Sequence, residues 1–239
     1  MPTAPPITPQ ERLIFALDVP DTQQARALVE TLGDSVMFYK VGLELFMSEG
    51  FFAFVEWLRA HNKKVFVDLK LFDVPATVAR AVARLAARDI DFVSIHGNQS
   101  LMEAAAKARR GRLKLLAVTV LTSLDQGDLD DLGFDCDVNA LVLSRACRAL
   151  QAGCDGVVSS GMEVAALRAH APDKLIAVTP GIRPVANADD QKRVMTPSQA
   201  IRAGSDYLVI GRPIRDADDP RAAAEAIQTE IGTALGARP

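Results

Sequence analysis

Asp68, Lys70 and Asp73 lie within six positions of one another in the stretch KVFVDLKLFDVPAT, residues 64–77. The stretch opens as a strand, because Val65, Phe66 and Val67 are strong β-formers. Residues two apart on a strand share a face, so Asp68 and Lys70 project together while Val67 and Leu69 point the other way. An ammonium held between carboxylates stays protonated and oriented. Such a group can stabilise negative charge that develops on a substrate and then donate a proton to it. The plainer reading is a solvated salt bridge at a strand end, which contributes little. Lys40, at the end of the preceding β-rich run, and the second acid, Asp73, favour a charged network.

A second set of residues suits an anion. Gly181 and Arg183 follow one β-rich run in TPGIRP, and Gly211 and Arg212 follow the last one in VIGRP. Glycine permits close backbone approach, and arginine offers a forked donor to phosphate oxygens. A Gly-Arg pair alone also suits a turn before a helix; its place opposite PGIR gives it weight. His61, His96 and His170 are far apart, and only His96 ends a β-rich run. It reads as an oriented wall residue rather than a metal ligand. The acidic segment SLDQGDLDDLGFDCD lacks EF-hand spacing and its terminal glutamate, so it reads as an acidic loop or short helix. Trp57, in FFAFVEWL, reads as packing.

These residues need elements to hold them. β-rich runs alternate with helical segments along the chain, beginning with LIFALDV (13–19) and then DTQQARALVETLG, with Asp21 as N-cap and Gly33 as stop. Eight such units can be counted, and most strands are nearly continuous apolar runs, as parallel strands covered on both faces are. The alternation implies right-handed crossovers between parallel neighbours. Eight units in 239 residues favour a closed (β/α)8 TIM barrel over an open doubly wound sheet. No Gly-x-Gly-x-x-Gly opens a helix, which counts against a dinucleotide-binding half. The expected organisation is a flexible tail over 1–10 and one barrel domain over 11–239. In such a barrel the site lies at the C-terminal strand ends, where Asp18, Lys40, Asp68, Lys70, Thr122 and both Gly-Arg elements fall.

Composition narrows the partners. A net charge of −3 implies no general attraction to nucleic acid, so an anionic ligand must be held by local cations. Cys136, Cys147 and Cys154 are odd in number and lack C-x-x-C spacing, which fits a reducing cytoplasm better than a disulfide framework. Cys147 and Cys154 are expected as small apolar residues in or beside a helix. The opening MPTAPPITPQ has neither the basic region nor the apolar run of a signal peptide. No apolar run approaches the ~20 residues of a membrane span.

The stretch DLKLFDVPAT resembles the D-x-K-x-x-D-[IV]-P-x-T signature of the orotidine 5′-phosphate decarboxylase family. ALDV, YKVGLELF, LTS, TPGIRP followed by DDQKRVMTP, and VIGRPI resemble the bacterial form in the same order, over nearly the whole chain after the tail. SIHGNQS departs from it, where the family often has a small residue and a glycine pair. The resemblance implies a homodimeric (β/α)8 barrel that converts orotidine 5′-monophosphate (OMP) to UMP, the last step of de novo pyrimidine synthesis, without metal or organic cofactor. It implies that Lys40, Asp68 and Lys70 form the charged network, that Asp73 completes it from the neighbouring subunit, and that Lys70 donates the proton. It also implies that Asp18 and Lys40 contact ribose hydroxyls and that Thr77 enters from the partner. Thr122 would bond the pyrimidine; Arg183, Gln191, Gly211 and Arg212 would bind or enclose the phosphate. The polar segment 183–195 would be a lid, with Gln191 bridging base and phosphate.

Two alternatives remain at this level. Magnesium-dependent sugar-phosphate decarboxylases and aldolases of the same barrel share the D-x-K-x-x-D element; VPAT and the TPGIRP…DDQKR segment favour the pyrimidine enzyme. A non-catalytic UMP-binding module would not need Lys70.

Overall fold

The computed structural model describes residues 7–170, 175–184 and 194–236. Its strands are β1 (Leu13–Ala16), β2 (Phe38–Gly42), β3 (Lys64–Leu71), β4 (Phe92–Ile95), β5 (Lys114–Val118), β6 (Gly156–Val158), β7 (Ile176–Thr179) and β8 (Tyr207–Ile210). They close in sequence order into one parallel barrel. β8 returns to β1 through Leu13↔Leu208 and Phe15↔Ile210, which excludes the open sheet.

Alternation along each strand divides the apolar side chains between two cores. Ile14, Phe38, Phe66, Phe92, Val178 and Val209 belong to the barrel interior. Leu13, Phe15, Tyr39, Val65, Val67 and Val93 belong to the larger core between strands and helices. Every residue of β1, β2 and β4 is buried, so both faces must be apolar and the strands read as unbroken runs. Phe38, Phe92 and Tyr207 each open a strand, and their rings meet at centroid distances of 5.0 Å (Phe38–Phe92) and 5.1 Å (Phe92–Tyr207). These aromatics plug the N-terminal end of the barrel and leave the other end for polar groups. Gly156 sets the approach of β6 to β7: a Cβ there would lie 2.4 Å from the Ile176 carbonyl oxygen.

The expected caps form. The Asp21 carboxylate accepts from the Gln24 N–H at the start of the helix Thr22–Leu32, and Gly33 (φ 51°) ends it. The acidic segment forms a short helix, Gln126–Asp131, capped by Asp125. Trp57 packs between the Arg26 guanidinium, 4.5 Å from its ring centroid, and the Phe54 ring.

Several details differ from the sequence expectation. LIFALDV yields only four residues of strand, Leu13–Ala16, although the Leu17 N–H still donates to the Lys40 carbonyl at 2.9 Å and both Leu17 and Val19 stay buried. Leu43–Phe46 and Arg212–Arg215 form short helices. The boundary placed at residue 10 falls inside the helical turn Pro9–Arg12, capped by the Thr8 hydroxyl. Cys154 is buried, which pushes its thiol up to about 12. Cys147 lies in the helix Val138–Ala152 as expected but is exposed, on the helix's solvent side. Among the described residues, no helix is long and apolar enough to cross a membrane.

Candidate active site

The C-terminal strand ends enclose a cavity of about 380 Å³. Asp18, Lys40, Asp68, Lys70, Thr122 and Arg183 line it, together with Gly181, Gly211 and Arg212. Apolar side chains from the barrel interior, among them Phe66, Val118 and Val209, form its floor.

The strand register brings the charges together. Ala16 pairs with Lys40 and Gly42 with Asp68, so successive strand ends carry successive charges. Lys40 Nζ lies 2.8 Å from Asp18 Oδ1 and 3.8 Å from Asp68 Oδ2. Lys70 Nζ lies 3.0 Å from Asp68 Oδ2. The result is a chain of alternating sign, Asp18–Lys40–Asp68–Lys70, with no excess charge. Burial opposes the charge on Lys40, but the Asp68 and Asp18 carboxylates outweigh it and hold the ammonium above its usual range. Burial likewise opposes the Asp68 carboxylate; the charges of Lys40 and Lys70, then hydrogen bonds from Ser94 and Lys70, hold it below the usual range. Lys40 and Asp68 side chains are only 10% and 11% exposed, whereas Lys70 is 39% exposed. Lys70 is therefore the more exposed ammonium of this chain of charges.

Lys70 reaches this position through an irregularity. Val67 pairs with Val93 and Leu71 with Ile95, so four residues of β3 span two of β4. Lys70 has φ 49°, in the left-handed region that non-glycine residues rarely adopt. Leu69 and Leu71 still pack outward against the helical layer. The Ser94 hydroxyl stands under the irregularity: it accepts from the Lys70 N–H at 2.9 Å and donates to Asp68 Oδ1 at 2.7 Å.

Arg183 is buried, with Nη1 donating to the Ile182 carbonyl at 2.9 Å. Arg215 adds a further arginine to the lining; its Nη1 donates to the Asp18 carbonyl at 2.7 Å, tying the β8 end to the β1 end. Asp73 and Thr77 do not line the cavity. Asp73 is exposed and accepts from the Val74 N–H at 2.6 Å, while Thr77 accepts from Arg80 Nη2 at 3.2 Å. Gln191 and most of the segment 183–195 lie outside the described residues. His96 stands beside the Phe72 ring and does not line the cavity; burial first, then the Arg145 and Lys70 charges, lowers its pKa. Among the described residues, no three His, Cys, Asp or Glu side chains group as a metal site would need.

Ser94 and Arg215 were missed by sequence reasoning. Ser94 is the one polar residue within FVSI, a weak but readable signal for a buried bond. Arg215 ends GRPIR and carries no signal beyond its charge.

The profile of the orotidine 5′-phosphate decarboxylase / HUMPS family matches residues 11–227. An orotidine 5′-phosphate decarboxylase of Methylococcus capsulatus is 64% identical over 228 residues, covering 95% of this chain and 94% of that protein. One from Nitrobacter winogradskyi is 52% identical, covering 95% of each. The crystal structure of orotidine 5′-phosphate decarboxylase from Lactobacillus acidophilus superimposes with a TM-score of 0.82 at 36% identity, covering 92% of this chain and 98% of that one. With a closed barrel, a charged mouth and relatives that match it nearly end to end, this chain belongs to the orotidine 5′-phosphate decarboxylase / HUMPS family.

Proposed function

We propose that this protein decarboxylates OMP to UMP, with Lys70 as the proton donor. The observation that carries the reading is the Lys70 ammonium, 3.0 Å from Asp68 Oδ2 and the more exposed lysine of the network at the cavity mouth. Loss of CO2 from C6 of the pyrimidine leaves an electron pair in the plane of the ring, where the π system cannot delocalise it. The largest enzymatic accelerations correspond to roughly 20 kcal/mol or more of barrier reduction. An ammonium fixed beside C6 stabilises that pair as it develops and then protonates it. The C6–carboxylate bond breaks, CO2 departs, and the C6–H bond forms with the proton of Lys70, which solvent later restores. Asp68, held ionised, repels the substrate carboxylate, and that repulsion ends when CO2 leaves.

The rest of the cavity serves the nucleotide. Asp18 and Lys40 contact ribose hydroxyls, and Thr122 bonds the base. Arg183, Gly211 and Arg212 hold the phosphate, which is remote from the breaking bond; its binding energy orders the loops around the base. Gln191 encloses the phosphate from its own segment. The protein acts as a cytoplasmic homodimer in which Asp73 and Thr77 enter the partner's cavity. Exposed Phe72 and Val74 beside Asp73 support that arrangement.

The test is an assay of purified protein with OMP in the presence of EDTA, followed at the pyrimidine absorbance band. UMP should form at the same rate with and without chelator. Activity that vanishes with EDTA and returns with magnesium would instead assign the magnesium-dependent branch. Tight UMP binding without OMP turnover would assign a binding module.

A further inference from the structure

We infer that Ser94 is a positioning residue for the Asp68–Lys70 pair, one hydroxyl fixing the acid's carboxylate and the lysine's backbone together. The inference rests on the reading of Lys70 as proton donor. Ser94 is fully buried in β4, between Val93 and Ile95. A hydroxyl has one proton and two lone pairs, so it can donate in one direction and accept from another. Here the proton goes to Asp68 Oδ1 at 2.7 Å, and a lone pair takes the Lys70 N–H at 2.9 Å.

Both bonds bear on the reacting geometry. The first spends Asp68 Oδ1 on Ser94 and turns Oδ2 toward the two ammonium groups, at 3.0 Å from Lys70 and 3.8 Å from Lys40. The second holds a residue whose φ of 49° is disfavoured for a side chain of this size. Such a conformation persists only where its surroundings hold it. β3 runs four residues against two of β4 at this place, so the regular ladder does not hold Lys70. The Ser94 hydroxyl does.

The experiment is kinetic and uses the full chain. Ser94→Ala should lower kcat by about tenfold to a hundredfold, the scale of a displaced reacting group. KM for OMP and the dissociation constant of UMP should stay within about threefold, because the phosphate and ribose contacts are untouched. In a Lys70→Ala background the same substitution should cost much less than it does in wild type, since the residual rate no longer passes through Lys70 and only the effect on Asp68 remains. A role in general packing would lower both backgrounds by the same factor and weaken UMP binding as well. Ser94→Cys keeps the volume but is a weak donor, and stands in if the alanine variant does not fold. The crystal structure of the variant gives an answer independent of turnover. Lys70 should leave the left-handed region, or its separation from Asp68 should open beyond hydrogen-bond distance. Wild-type kcat with unchanged Lys70 geometry overturns the inference. A wild-type protein that binds UMP but does not turn over OMP fails the functional reading instead.

Discussion

At the scale of single residues, the network divides labour by exposure. Lys40 and Asp68 are buried and mutually locked, whereas Lys70 keeps part of its ammonium at the cavity mouth. Replacing Lys70 with alanine should therefore cut kcat by at least ~10²–10⁴-fold, the range for a positioned proton donor. UMP should bind nearly as before if, as proposed, the arginines and glycines of the β7 and β8 ends hold the phosphate. Near wild-type kcat would refute the role. His96 allows a test by pH. Its folded-state pKa lies below the ordinary 6.5, through burial and then the Arg145 and Lys70 charges. Above 6.5 it is neutral in both states and costs nothing. As pH falls through 6.5 the unfolded chain takes up the proton first, so stability drops until the folded pKa is passed. Urea unfolding at pH 7.5 and 5.5 should show wild type losing more stability on acidification than His96→Asn. Equal losses would mean that His96 is not held neutral. The charges of this site were legible because aspartate and lysine interrupt an apolar strand. Ser94 was harder to see, because a serine between Val93 and Ile95 fits a buried strand whether or not it bonds anything functional.

At the scale of elements, the barrel was legible where burial on both faces makes strands continuous apolar runs. The ends were not, because residues such as Leu17 and Val19 remain buried beyond the last residue of the strand. The register change at Lys70 was also hidden: side chains still alternate from Val67 to Leu71, and spacing carries no record of the two extra residues opposite β4. The β8 end shows what an element adds to a motif. Gly211 leads into the helix Arg212–Arg215, whose last residue donates to the Asp18 carbonyl while its first lines the cavity. One helical turn thus links Arg212, at the cavity, to the Asp18 backbone at the β1 end. Arg212→Ala should raise KM for OMP by roughly tenfold to a hundredfold, the loss of a charge-assisted bond of about 1.5–3 kcal/mol. It should also lower kcat if, as proposed, phosphate binding orders the loops over the base. A variant that handles OMP as wild type does would remove the phosphate from the β8 end.

At the scale of the whole molecule, the described surface carries a feature that a solitary barrel does not need. Phe72 and Val74, beside Asp73, are 69% and 62% exposed, and Leu43 and Met47, beyond β2, are 63% and 78% exposed. These loops follow adjacent strands at the same end as the cavity, and covering apolar surface is worth about 25 cal/mol per Å². In the proposed homodimer a two-fold interface would cover the same patch on both subunits and carry Asp73 of each toward the other's cavity. Symmetry then supplies a test. Lys70→Ala and Asp73→Ala should each be nearly inactive as homodimers. In a mixed dimer one site combines both defects. The other has an intact Lys70 from its own chain and an intact Asp73 from its partner. Random mixing makes about half of the dimers mixed, each with one good site of two, so activity should recover to roughly a quarter of wild type. If Asp73 acts within its own chain, every site in every dimer carries a defect and nothing recovers. Co-expression of the two variants, with mixed dimers demonstrated and OMP turnover measured, separates these outcomes, and no recovery would return Asp73 to its own barrel.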